Sequence, residues 1–213
     1  MKQDALARRS DPGFLRGMSS NQKRPTTAWM SSDLFEVGIG AVVIARFKVS
    51  GEAEMGFFLV DVWCLGVKNA FFTRVTPAEL QSIMDEQFEK PPIEISPACG
   101  RKLVESAVAY AGRLGIPPHR DYRAACRVLG GIDATQCDTD WKFGGQEGKP
   151  HYVSGPRDSK RFIDRLMAQL LRVCGEGNFN YTVVVEGEDG SDLVWNDAEW
   201  KNPDGDPEAG TRG

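Results

Sequence analysis

Asp61, Cys64 and Lys68 place a carboxylate, a thiol and an ammonium inside an otherwise apolar stretch running from Phe57 to Asn69. Phe57, Leu59 and Trp63 alternate with Phe58, Val60 and Val62, so this segment reads as a strand covered on both faces. A carboxylate there is costly unless it is paired or hydrogen-bonded. Asp61 and Lys68 are seven residues apart, which puts them on opposite faces of a regular strand. A one-residue bulge at Gly66 brings them to the same face. Either a polar site forms at the strand break, or an Asp–Lys pair or an Asp bonded to loop backbone merely fixes the fold.

A catalytic version adds His119 as base and Asp121 as its orienter, with Cys64 as the nucleophile of a hydrolase-type enzyme. His119 is expected in the first turn of a short helix, where the macrodipole keeps imidazole neutral. Nothing in the spacing makes Cys64 and His119 meet.

Basic residues supply another chemistry. Arg120, Arg123 and Arg127 share one side of that helix, and Arg157, Lys160, Arg161 and Arg165 crowd the next one. Either face could meet phosphates, giving a nucleic-acid-associated protein, or simply be solvated. The sequence pI of about 5.3 disfavours nucleic acid. The Gly155-Pro156 turn could hold an anion at a helix start. Gly38-Ile39-Gly40 and Gly144-Gly145 do not join a strand to a helix, as a phosphate loop must.

Five cysteines, at 64, 99, 126, 137 and 174, have no Cys-x-x-Cys pair. Together with the lack of an apolar leader, they point to reduced thiols in the cytoplasm. With only His119 and His151, no metal is expected, and no cofactor either. The apolar run Met55 to Val60 stops at Asp61 and is too short to span a membrane.

The elements that must position these residues are legible. Ala41 to Val49 is a β-branched strand, and Met55 to Val75 is too long for one strand, so a meander is expected. Thr76-Pro77-Ala78-Glu79 is a capping box opening a helix to about Phe88. Ser96-Pro97 opens a second helix that closes at Gly115, and Pro117-Pro118 leads a short third. Phe143 to Val153 is expected to form a small hairpin. Gly155-Pro156 or Asp158 starts a fourth helix ending at Cys174-Gly175, and Asn180 to Val185 is a strand expected to rejoin the sheet. This is an α+β fold: a small antiparallel sheet, built from the meander and the C-terminal strand, packed with about four helices.

Three segments differ in charge. Residues 1–33 carry six cations against three acids, residues 186–213 nine acids against two cations, and the total is −4 over 213 residues. The segment 34–185 is therefore neutral and is taken as a single domain between a flexible basic arm and an acidic, disordered tail. Starting at Met18 or Met30 would then cost the core nothing. Trp195 and Trp200 in that tail are expected to dock on the chain's own core or on a partner.

The run Phe58-Leu59-Val60-Asp61, then Cys64-Leu65-Gly66-Val67-Lys68-Asn69, together with Gly148-Lys149-Pro150 and Tyr152-Val153-Ser154-Gly155-Pro156, resembles a family of small uncharacterised bacterial proteins. The likeness covers the neutral core and not the flanks. In that family an acid often stands where this chain has Asn69, and the resemblance implies no activity. The expected function is a non-catalytic binding or adaptor protein of the bacterial cytoplasm, engaging a protein partner through its core surface and its acidic tail. The enzyme centred on Asp61, Cys64, Lys68 and His119 is the alternative, and nucleic-acid binding is a second one.

Overall fold

The structure, a computed structural model, describes residues 25–186 and 192–196. Strand β1 (Thr26–Met30) is followed by a single helical turn α1 (Leu34–Val37) and by the meander β2 (Ile39–Phe47), β3 (Ala53–Asp61) and β4 (Gly66–Val75). Helix α2 (Pro77–Gln87), strand β5 (Ile93–Ile95) and helix α3 (Pro97–Arg113) come next. The short helix α4 (Tyr122–Ala125) runs into a 3₁₀ turn at Cys126–Leu129. Strand β6 (His151–Val153), helix α5 (Lys160–Cys174) and strands β7 (Asn180–Glu186) and β8 (Asp192–Asn196) complete the order.

The fold is α+β. Its main sheet has five strands in the order β4-β3-β2-β1-β5, every neighbouring pair antiparallel. As β3's two-sided apolar pattern requires, both sheet faces are covered. Val42, Ile44, Phe58 and Val60 pack under α3 with Leu103, Val104 and Ala107. Val43, Ala45, Met55 and Phe57, one residue out of step, pack on the other face with Leu80 and Phe88. This alternation is the two-residue period of a strand acting at full depth. A third cluster joins α5 (Leu166, Met167, Leu170) to Cys64, Tyr110 and Tyr152.

Helix starts follow their local chemistry. Thr76 forms a complete capping box with Glu79, and the Ser96 hydroxyl accepts the Cys99 N–H at 3.1 Å. The cap of α5 is Ser159, whose hydroxyl accepts the Phe162 N–H, rather than the Gly155-Pro156 turn or Asp158.

Several expectations need correction. Residues 1–33 are not all arm, because Thr26–Met30 forms β1 between β2 and β5, with Ala28 and Met30 buried. Beginning the chain at Met30 would therefore remove a strand that two neighbours pair with. The strand from Asn180 does not rejoin the main sheet. It is the middle of a separate sheet, parallel to β6 and antiparallel to β8. Phe143 to Val153 is accordingly no hairpin, since β6 pairs forward in the chain with β7. Residues 186–213 are not wholly without structure either: Asp192–Asn196 is β8, and Trp195 stands opposite Val183 in its register. Trp200 and the remaining tail lie outside the described residues, as do residues 1–24. Finally, Cys99 and Cys137 are joined by a disulfide, whereas Cys64, Cys126 and Cys174 are free thiols. No helix among the described residues is long and apolar enough to cross a membrane.

Candidate functional site

The tight turn Val62–Leu65 between β3 and β4 is where most of the suspected residues gather, and nearly every polar group there is consumed by the fold. Asp61 is buried at 7% exposure, and its Oδ1 accepts the N–H groups of Trp63 at 2.9 Å and Cys64 at 2.8 Å. Burial pushes its carboxyl up to about 6, against the opposing pull of bonds from the N–H groups of Cys64, Trp63 and Leu65 and, least, of the Lys68 ammonium. This is an aspartate bonded to loop backbone.

The irregularity lies two residues beyond Gly66, the position where it was expected. Gly66 pairs with Asp61 and Val67 with Val60, but Leu59 pairs with Asn69, so Lys68 is the extra residue. The bulge turns its ammonium to Asp158, 3.2 Å away, and not to Asp61. Asp158 Oδ2 also accepts the Tyr152 hydroxyl at 2.9 Å and the Gly155 N–H at 2.8 Å. Gly155 packs close to this cluster: a Cβ there would lie 2.9 Å from Lys68 Nζ, the mobile end of a flexible side chain.

Trp63 is the other hub. Its carbonyl accepts the His151 N–H and the Tyr110 hydroxyl, both at 3.1 Å, and its ring stacks on His151. Around it, Val62 N–H donates to Gly38, and Gly144 N–H donates to Val62. The two stretches that carry the bacterial resemblance, 58–69 and 148–156, thus meet at this turn.

Cys64 is completely buried among Tyr110, Tyr152 and Leu166. Burial pushes its thiol far up, and Asp61 and Cys174 push it the same way. His119 faces elsewhere. Its N–H donates to Val67, and its Nδ1 accepts the Asp121 N–H at 3.3 Å and lies 3.8 Å from Asp121 Oδ2. The structure brings His119 and Asp121 together, but gives the pair no hydrogen bond to the Cys64 thiol. A buried, neutral thiol is a poor nucleophile.

An open groove of about 510 Å³ lies at the start of α4, lined by Pro118, His119, Arg120, Tyr122, Arg123 and Cys126. Arg120 is 88% exposed and only loosely set against Asp121 at 3.7 Å. Arg123 has no hydrogen bond or ion pair among the described residues. Arg127, just beyond, holds its guanidinium over the Phe72 ring at 5.9 Å. By contrast Arg157, Arg161 and Arg165 are exposed, and Lys160 pairs with Asp164 one helical turn on, as a solvated face does. Among the described residues no group of three or more His, Cys, Asp or Glu side chains could hold a metal.

Sequence reasoning did not single out Tyr110, and it named His151, Asp158 and Tyr152 without connecting them to this turn. Tyr152 and Gly155 sit in the segment that carries the resemblance, but no local signal ties them to Lys68. No family model, curated protein or solved structure matches this chain. The likeness to small bacterial proteins therefore remains an expectation resting on the residues quoted for it.

Proposed function

We propose that this is a non-catalytic binding protein of the bacterial cytoplasm, and that the groove at α4 receives an acidic segment of a protein partner. One observation carries the reading. Asp61, Cys64, Lys68, Tyr152 and Asp158 are committed to internal bonds or buried, while the guanidinium of Arg123 faces solvent beside Tyr122 without an internal partner. An unneutralised arginine beside an aromatic wall is the composition of a surface that binds carboxylates with some apolar contact. The acidic stretch from 186 onward, with Trp195 and Trp200, is a second contact for a partner in this reading.

A labelled poly(Glu-Tyr) peptide and a mixed-sequence single-stranded RNA test it by fluorescence anisotropy. The peptide should bind, and Arg120→Glu with Arg123→Glu should weaken it by at least about tenfold, or about 1.4 kcal/mol. Peptide binding that ignores the charge reversal overturns the proposal. RNA binding tighter than peptide binding and steeply salt-dependent would move the groove to nucleic acid.

A further inference from the structure

Between Gly130 and Trp141 the chain has no regular element except a 3₁₀ turn at Ala134–Gln136. Cys137 is the one buried residue from Gly130 to Asp140, at 4% exposure. The disulfide to Cys99, in the first turn of α3, is what holds it there. The loop's other side-chain bonds to α3 run from cations to carbonyls, with one contact between Cys99 Sγ and the Thr139 hydroxyl at 3.9 Å and one exposed pair. Arg101 donates to the carbonyls of Leu129 and Ile132, and Lys102 donates to the carbonyl of Cys137 at 3.0 Å. Lys102 also meets Asp140, whose side chain is 98% exposed. Exposed ion pairs hold a segment weakly, and burying so few apolar groups gives a segment low local stability.

We infer that the Cys99–Cys137 disulfide is a thiol-sensitive clasp: its reduction releases residues 131–140 from α3 while the sheet stays folded. The two sulfurs are unequal. Cys99 is half-buried and its partner buried, so an incoming thiolate reaches Cys99 first. A glutathione thiolate forms a bond to Cys99 Sγ, and the protein S–S bond breaks with Cys137 leaving as thiolate. A second glutathione thiolate then attacks the glutathione sulfur of this mixed disulfide and frees Cys99. Cys99 leaves readily, since its thiolate would sit at a helix N-terminus near the Lys102 ammonium. Both protein thiolates take up the two protons that the glutathione thiols gave up, and the product is oxidised glutathione.

The released loop has a visible consequence. Gly130, Gly131 and Ile132 form one wall of a cavity of about 430 Å³ whose other side is Arg46, Lys48 and Glu54. Loss of the clasp leaves that wall held by the bonds from Arg46 to the carbonyls of Val128 and Gly130 and by those from Arg101 to Leu129 and Ile132. The reading is independent of the α4 groove. In a reducing cytoplasm such bonds are transient and serve as sensors.

The full chain, as isolated and after incubation with excess reduced glutathione, is alkylated in denaturant and weighed, because Cys64 is buried in the fold, and native samples of both are followed by amide hydrogen exchange. The expected result is three alkylated cysteines before reduction and five after it. Amides of 131–140 should exchange at least about tenfold faster on reduction, and those of β2 and β3 should be unchanged. Cys99→Ser with Cys137→Ser should reproduce the reduced pattern; if that variant fails to fold, the glutathione arm alone decides. Five alkylated cysteines at the outset overturn the inference. So do a bond that glutathione leaves intact, unchanged exchange in the loop, and unfolding of the whole chain on reduction.

Discussion

Lys68 and Asp158 stand 90 residues apart in the chain, yet their side chains meet at 3.2 Å, and the bulge in β4 is what aims the lysine. The pair ties the main sheet to the turn that leads into α5. Asp158 is the centre of the tie because one oxygen serves three donors: Lys68, the Tyr152 hydroxyl and the Gly155 N–H.

Asp158→Ala leaves the Tyr152 hydroxyl and the Gly155 N–H without an acceptor. It should cost about 2–3 kcal/mol in urea unfolding, the penalty for orphaned buried donors. Lys68→Met, which leaves Asp158 two of its donors, should cost about 1 kcal/mol. Equal costs for the two variants would show that the lysine, and not the carboxylate, organises the cluster.

Asp61 makes stability depend on pH in a stated direction. Its carboxyl is raised to about 6 from an ordinary 3.8, so the folded chain holds this proton more tightly than the unfolded one. Its contribution is fully present below about pH 4, declines as pH rises towards about 6 and is level above, a fall of about 3 kcal/mol. Asp61→Asn keeps an acceptor for the turn's N–H groups and cannot ionise. The difference in unfolding free energy between wild type and Asp61→Asn should therefore move against the wild type from pH 4 to 6. A flat difference across that range would mean that the hydrogen bonds fully offset burial.

Gly66 cannot be replaced cheaply. Its φ is +66°, and an added Cβ would lie 2.7 Å from both the Ala107 carbonyl and the Ala111 Cβ of α3. Gly66→Ala should cost at least about 2–3 kcal/mol, combining left-handed strain with the clash. Gly51, at φ +90° with nothing within 4 Å of an added Cβ, provides the control. Gly51→Ala should lose only about 1 kcal/mol. Thermal unfolding of both variants checks it, and similar losses would remove the helix contact from the explanation.

The elements read correctly from sequence are those with short-range causes. Thr76 and Glu79 are three residues apart and cap one another, and Ser96 caps α3. The meander shows in the alternation of β3 and in the Gly51-containing break before it, whereas the turn after it, Val62–Leu65, has neither Gly nor Asn. β1 was missed because Thr26–Met30 is a short segment beside a basic stretch. It is a strand by virtue of β2 on one side and β5 on the other. The destination of β7 was missed for the same reason, since a strand's own residues do not name its neighbour.

At the candidate site, Asp61 showed itself as an acid in a two-sided apolar strand, and its bonds to the next turn are local. Cys64 showed itself too, but whether a thiol is reactive depends on burial, and the core around Leu166 and Tyr152 decided that. Composition, caps and hydrophobic period by themselves determined an α+β chain with a central covered meander and set the acidic flank apart. Tertiary structure alone decided that Lys68 meets Asp158, that Cys99 meets Cys137 and that Arg123 is left facing solvent. Each of those contacts closes a loop of tens of residues or depends on what fails to cover a surface. Local pattern has no bearing on either.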